Sequence, residues 1–173
     1  MRKTIIMFTI FMLLSAFTAF SQTSDFSGHW EYDKAKSKAP SQVRVSPGSW
    51  TLKVTQTEKE LKVETATKGE RGVRNGTDVY SLEGKETRSD AGKTEWQGTA
   101  TLTAMKEANG KLILTSTRKV TSQSGEFMMT TKETWEMVEG GKAIKIFREI
   151  NLPAAAPVKS MKWEMYFAKK IRE

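Results

Sequence analysis

From Trp50 onward, side chains alternate between apolar and polar along short runs rich in Thr, Val and Trp, separated by Gly, Asn and Asp. Period two punctuated in this way is the pattern of antiparallel sheet with one buried face, and no segment shows a helical period. The first pair of runs sets the register. Trp50, Leu52 and Val54 share one parity, Glu58-Lys59 forms a tip, and Leu61, Val63 and Thr65 return on the same face. This places Val54 against Val63 and Leu52 against Thr65, so turn and hydrophobic pattern agree.

A looser connection through Gly69 to Gly76 leads to a strand from Thr77 to Leu82, and Gly84-Lys85 turns the chain into a short strand around Thr87. Beyond Asp90-Ala91-Gly92, a long strand from Lys93 to Met105 carries Trp96, Gly98, Ala100, Leu102 and Ala104 on one face. Asn109-Gly110 folds it onto Lys111 to Thr121, which predicts Leu102 opposite Leu114, Trp96 opposite Val120 and Gly98 opposite Arg118. Next, Glu126 to Val138 bears Phe127, Met129, Thr131, Glu133, Trp135 and Met137 on one face, and the Gly140-Gly141 tip permits positive backbone dihedrals. Ile144, Ile146, Arg148 and Ile150 line the return strand, Leu152 to Pro157 is too proline-rich for a central strand, and the last strand shows Met161, Trp163, Met165 and Phe167 on one side.

Eight to ten strands joined in sequence by tight turns make an up-and-down meander. Closing it into a barrel removes its edges, so the expected fold is all-β, an up-and-down antiparallel barrel of 8–10 strands, with a two-sheet sandwich as the structural alternative. At 173 residues the chain supports one domain.

Before the meander, Met1-Arg2-Lys3, the apolar run Ile5 to Leu14 and the small residues of Ala19-Phe20-Ser21 form a secretory signal peptide pattern, 1–21, leaving a domain of 22–173. The expected location is therefore outside the cytosol, periplasmic or extracellular. The apolar stretch is shorter than the roughly 20 residues that span a bilayer, and the mature chain offers no second candidate for a transmembrane segment. Without Cys, the exported chain must rely on its own core rather than on disulfides.

Asp25-Phe26-Ser27-Gly28-His29-Trp30 places a Gly-x-Trp at the start of this chain, which resembles the opening motif of lipocalins. The longer stretch from Ser27 to Lys38, with Ser-Gly-x-Trp, a spacer and Lys-Ser, is similar to bacterial exported lipocalin-like proteins of uncharacterised function. Their later hairpins resemble Glu126 to Ile146. The resemblance implies a lipocalin-like barrel and an exported compartment, with no defined activity. It also implies that Trp30 packs across the closed base near a basic residue from the end of the last strands, for which Arg148, Lys169, Lys170 and Arg172 are candidates. His29 falls on the motif's wildcard and receives no role from it.

Arg118, Glu133 and Arg148 break the apolar parity of their strands. The Gly140-Gly141 register sets Glu133 directly against Arg148, while Arg118 lies about four residues out of level with Glu133 and needs another partner. One reading is a structural ion pair at the wet end of the core. The other is that Arg118 and Arg148 face a cavity and meet the anionic group of an amphipathic ligand. The candidate ligand-binding residues are Trp96, Arg118, Met129, Glu133, Trp135, Arg148, Met161 and Trp163. The Trp and Met face serves equally as packed core, and Gly98, Ala100 and Ala104 are the one hint of free space on it.

Other chemistries find little footing. With one His and no Cys there is no metal-ligand set, and neither a metal nor a cofactor is expected. Glu133 has no second acid on a neighbouring face, Ser and Thr have no His placed to activate them, and no catalytic residues are assigned. A surplus of eight positive charges, +6 once Arg2 and Lys3 are removed, could bring the basic ends, Lys34 to Lys38 and Lys169 to Arg172, into peripheral contact with anionic surfaces. Nucleic acid is not an expected partner, because the outward faces carry Thr rather than aromatics. Two functions remain open. One is a non-enzymatic binder of a small hydrophobic or amphipathic molecule; the other is a structural or interaction module of the envelope or extracellular space, with a filled core.

Overall fold

A computed structural model describes residues 24–38, 49–69, 72–91, 98–122, 125–154 and 160–170. Ten strands follow one another: β1 Gly28–Tyr32, β2 Ser49–Gln56, β3 Glu60–Gly69, β4 Gly72–Ser81, β5 Thr87–Ala91, β6 Gly98–Lys106, β7 Leu112–Ser122, β8 Gly125–Val138, β9 Ala143–Asn151 and β10 Met161–Lys169. All pair antiparallel in one sheet of order β4-β3-β2-β1-β10-β9-β8-β7-β6-β5, which excludes the two-sheet alternative. The sheet curls into a nearly closed up-and-down barrel. Because β1 pairs with both β2 and β10, the first and last strands are zipped together and the seam falls between β4 and β5.

Among the described residues no strand ladder closes that seam. Instead the Thr87 hydroxyl donates to the Val79 carbonyl (2.5 Å) and the Ser89 hydroxyl to the Thr77 carbonyl (3.0 Å). These bonds occupy two carbonyls that an open edge would otherwise present to other chains.

The two best-defined hairpins fold in the expected register, with Val54 opposite Val63, Leu52 opposite Thr65, Trp135 opposite Ile146 and Glu133 opposite Arg148. Gly140 and Gly141 have φ of 65° and 86°, and the Lys142 amide donates to the Glu139 carbonyl across them, the geometry of a hairpin turn that twists with its strands. Two other expectations need correction. The β6–β7 hairpin is shifted by two residues, so that Leu102 faces Ser116, Ala104 faces Leu114 and Arg118 faces Ala100 rather than Gly98. Its Glu107–Lys111 bracket encloses three residues, with Gly110 at φ 81° taking the left-handed position. Likewise, 72–76 is not loose connection. β4 begins at Gly72 and pairs with β3 along its whole length, from Gly69 opposite Gly72 to Glu60 opposite Ser81. Residues 1–21, 92–97 and 155–159 lie outside the described residues, and with them the expected leader, Trp96 and the first part of the expected long strand.

The base of the barrel is filled. Trp30, Phe26, Trp135, Ile144, Ile146, Met165 and Phe167 are all buried, and Phe26 meets Trp135 edge-to-face at 5.9 Å. The leading segment is fastened there: the Phe26 amide donates to Gln56 Oε1 (3.0 Å), and Trp30 Nε1 donates to the Phe26 carbonyl (3.0 Å). Arg172 lies outside the described residues, and of the other three basic candidates it is Lys169 whose Nζ lies over the Trp30 ring, 5.3 Å from its centroid. Ala100 and Ala104 are buried as part of the core cluster. Among the described residues no helix is long and apolar enough to cross a membrane.

Candidate functional site

Above the packed base, toward the end carrying the Ser122–Gly125 turn, the interior opens into a cavity of about 150 Å³. β7 contributes Leu114, Ser116 and Arg118, and β8 contributes Met129, Thr131 and Glu133. Arg148 and Ile150 come from β9, and Asp78 and Tyr80 from β4 across the interior. All sit on the inward parity of their strands. The polar ones are therefore departures from alternation that the barrel gathers in one place.

Glu133 and Arg148 form the ordered part of the wall. Arg148 donates to Glu133 Oε1 from Nε (2.6 Å) and Nη2 (2.5 Å), while Trp135 Nε1 donates to Glu133 Oε2 (2.7 Å). The side chains are only 13% (Glu133) and 21% (Arg148) exposed, so the pair is far less screened than a surface ion pair. The guanidinium also lies between two indoles, 4.8 Å from the Trp50 ring centroid and 5.4 Å from that of Trp163. Trp50 is in turn fixed against Tyr32 and Phe167, at 5.9 and 5.5 Å. Arg148 is thus held by its carboxylate and by cation–π contacts on either side.

The remaining polar groups are less committed. Ser116 Oγ is buried without a hydrogen-bond partner. Tyr80 is only 6% exposed, and among the described residues its hydroxyl makes no hydrogen bond. Burial, then the charges of Glu133 and Asp78, hold its phenol well above the ordinary value of 10.0, against the opposing pull of Arg148 and Arg118. It stays a neutral donor at physiological pH. Arg118 and Asp78 have no ion-pair partner among the described residues. Of these groups Ser116 Oγ is the buried atom left without a partner, and it faces a space shared with the partly exposed Asp78 and Arg118, where water or a ligand can complete it.

Of the eight sequence-derived candidates, Arg118, Met129, Glu133 and Arg148 line this cavity. Trp163 stands behind it under Arg148, and Trp135 belongs to the packed core while bonding Glu133. Met161 pairs with Ile150 but does not reach the lining, and Trp96 lies outside the described residues. Asp78, Tyr80, Ser116 and Thr131 were not anticipated. The signal for the first two was present, since pairing Gly69 directly with Gly72 puts Asp78 opposite Val63 and Tyr80 opposite Leu61, both facing inward.

A second, shallower groove of about 450 Å³ runs along β1–β4 past His29, Thr51 and Asn75. Its charged groups include Lys53 and Glu64, paired at 2.9 Å, and no buried polar atom there lacks a partner. Nor do the described residues contain any group of three or more His, Asp or Glu that could hold a metal. The fold and cavity together define an up-and-down barrel with a charged, incompletely satisfied interior pocket. No protein-family model and no curated protein matches this sequence.

Proposed function

We propose that this protein is an exported, lipocalin-like, non-enzymatic binding protein that takes the polar head of a small amphipathic molecule into its barrel. The observation that carries this reading is the convergence of Arg118, Met129, Glu133 and Arg148 on one cavity with two hydroxyls, of Tyr80 and Ser116, that have no hydrogen-bond partner among the described residues. The leader pattern of residues 1–21 supports export. Cross-strand ion pairs on the outer wall, such as Lys53–Glu64 and Lys145–Glu164 (2.7 Å), suit water rather than lipid.

The filled base favours one alternative, a structural module without a ligand. Native mass spectrometry of the mature protein from its natural source, followed by calorimetric titration of the released molecule into the wild type and Arg118→Met, separates the two. Retention of a small molecule whose rebinding depends on Arg118 supports the binder. An empty protein that binds neither amphipathic anions nor small polar molecules supports the module.

A further inference from the structure

The cavity's charges define the ligand more narrowly, an argument that rests on the binding reading above. Arg148 is committed to Glu133 by two bonds and stacked between Trp50 and Trp163. This leaves one guanidinium, Arg118 on β7, and one carboxylate, Asp78 on β4, facing the same space from different walls without ion-pair partners among the described residues. A simple anion would meet Arg118 but be repelled by Asp78, and a simple cation would suffer the reverse. A molecule carrying both charges satisfies both walls, and the Tyr80 and Ser116 hydroxyls add donors for its oxyanion. The volume, about 150 Å³, is that of a void able to hold one benzene-sized molecule. A long acyl chain does not fit within it, and the base below is packed.

We infer that the cavity between Arg118 and Asp78 binds a compact zwitterion, with its carboxylate on Arg118 and its ammonium on Asp78. The test is calorimetric titration of the mature protein with ω-amino acids from glycine to 6-aminohexanoate, against alkyl carboxylates and alkylamines of the same chain lengths. The best zwitterion should bind at least roughly tenfold tighter than its matched carboxylate and amine, since each lacks one charge-assisted contact. Asp78→Asn should erase the preference over the carboxylate, and Arg118→Met the preference over the amine, with an unchanged circular dichroism spectrum confirming that each variant is folded. If carboxylates bind as tightly as zwitterions and still depend on Arg118, the zwitterion assignment is overturned while the binding reading stands. If no probe binds and native mass spectrometry finds the protein empty, the binding reading fails with it.

Discussion

Replacing Glu133 by Leu tests the physics of the cavity wall most directly. The substitution removes the acceptor of two Arg148 bonds and of the Trp135 indole N–H, leaving a guanidinium only 21% exposed without its counter-charge. Removing one partner of a fully buried pair costs about 3–5 kcal/mol, whereas an exposed pair is worth roughly 0–1 kcal/mol. At this depth the cost lies toward the buried end, reduced by the adjoining cavity through which water can reach Arg148 and by its two indole contacts. The expected loss is about 3 kcal/mol, which for a domain of this size lowers the melting temperature by roughly 6–12 °C. Glu133→Gln, which keeps an acceptor of the same shape, should lose about half as much. The double variant Glu133→Leu/Arg148→Met removes both charges and should return to within about 1 kcal/mol of wild type. Urea denaturation of wild type, Glu133→Leu, Arg148→Met and the double variant measures the cycle. A single-variant loss below about 0.5 kcal/mol, or a double variant as unstable as the sum of the singles, would refute the claim that this pair is shielded from water.

Three further outcomes follow from other parts of the barrel. Tyr80 holds its proton more tightly when folded than when unfolded, so its contribution to stability is level below about pH 10 and falls as pH rises above it. In an alkaline titration one of the three tyrosines should therefore develop phenolate absorbance only as the protein unfolds, and Tyr80→Phe should remove that step. Gly28 has φ of 148°, and a β-carbon there would stand 3.2 Å from Lys169 Cε, so Gly28→Ala should cost about 1–3 kcal/mol by chemical denaturation. Thr87→Val with Ser89→Ala removes the two hydroxyl bonds across the β4–β5 seam. Hydrogen exchange should accelerate in β5 more than in β8, and equal protection of β5 in wild type and variant would show that those bonds do not hold the seam.

What the chain order reveals depends on the range over which each piece of structure is encoded. The β2–β3 and β8–β9 registers are local, because Glu58-Lys59 and Gly140-Gly141 fix the tips and the parity of the flanking apolar residues agrees with them. In β6–β7 parity could not decide, since a slip of two residues leaves every side chain on its original face, and only the three-residue bracket around Gly110 distinguishes the two registers. The stretch 69–76 reads as loop because Gly69, Gly72, Asn75 and Gly76 carry turn chemistry, yet Gly69 ends β3 and 72–76 opens β4. Pairing with β3 overrides its weak intrinsic preference.

Two of the ten residues that line the pocket, Asp78 and Tyr80, lie on β4, whose pairing with β3 the loop reading of 69–76 leaves undefined. Arg118, Glu133 and Arg148 stand out as charges on apolar parity within strands that are easily drawn, whereas Asp78 is the same kind of departure on a strand whose inward face was not defined. Alternation can show that a strand tolerates an inward polar residue; it cannot show that four strands do so at one level. Only ring closure, set by β1 joining β10 and by the hydroxyl-bonded seam between β4 and β5, brings Asp78 and Tyr80 into the same space as Arg118. Isolated inward charges are costly, and a barrel can keep several of them if they meet around one cavity where water or a ligand of matching charge compensates them. The site is thus made of positions where the local folding rule is broken, each supported by a closure that no single hairpin encodes.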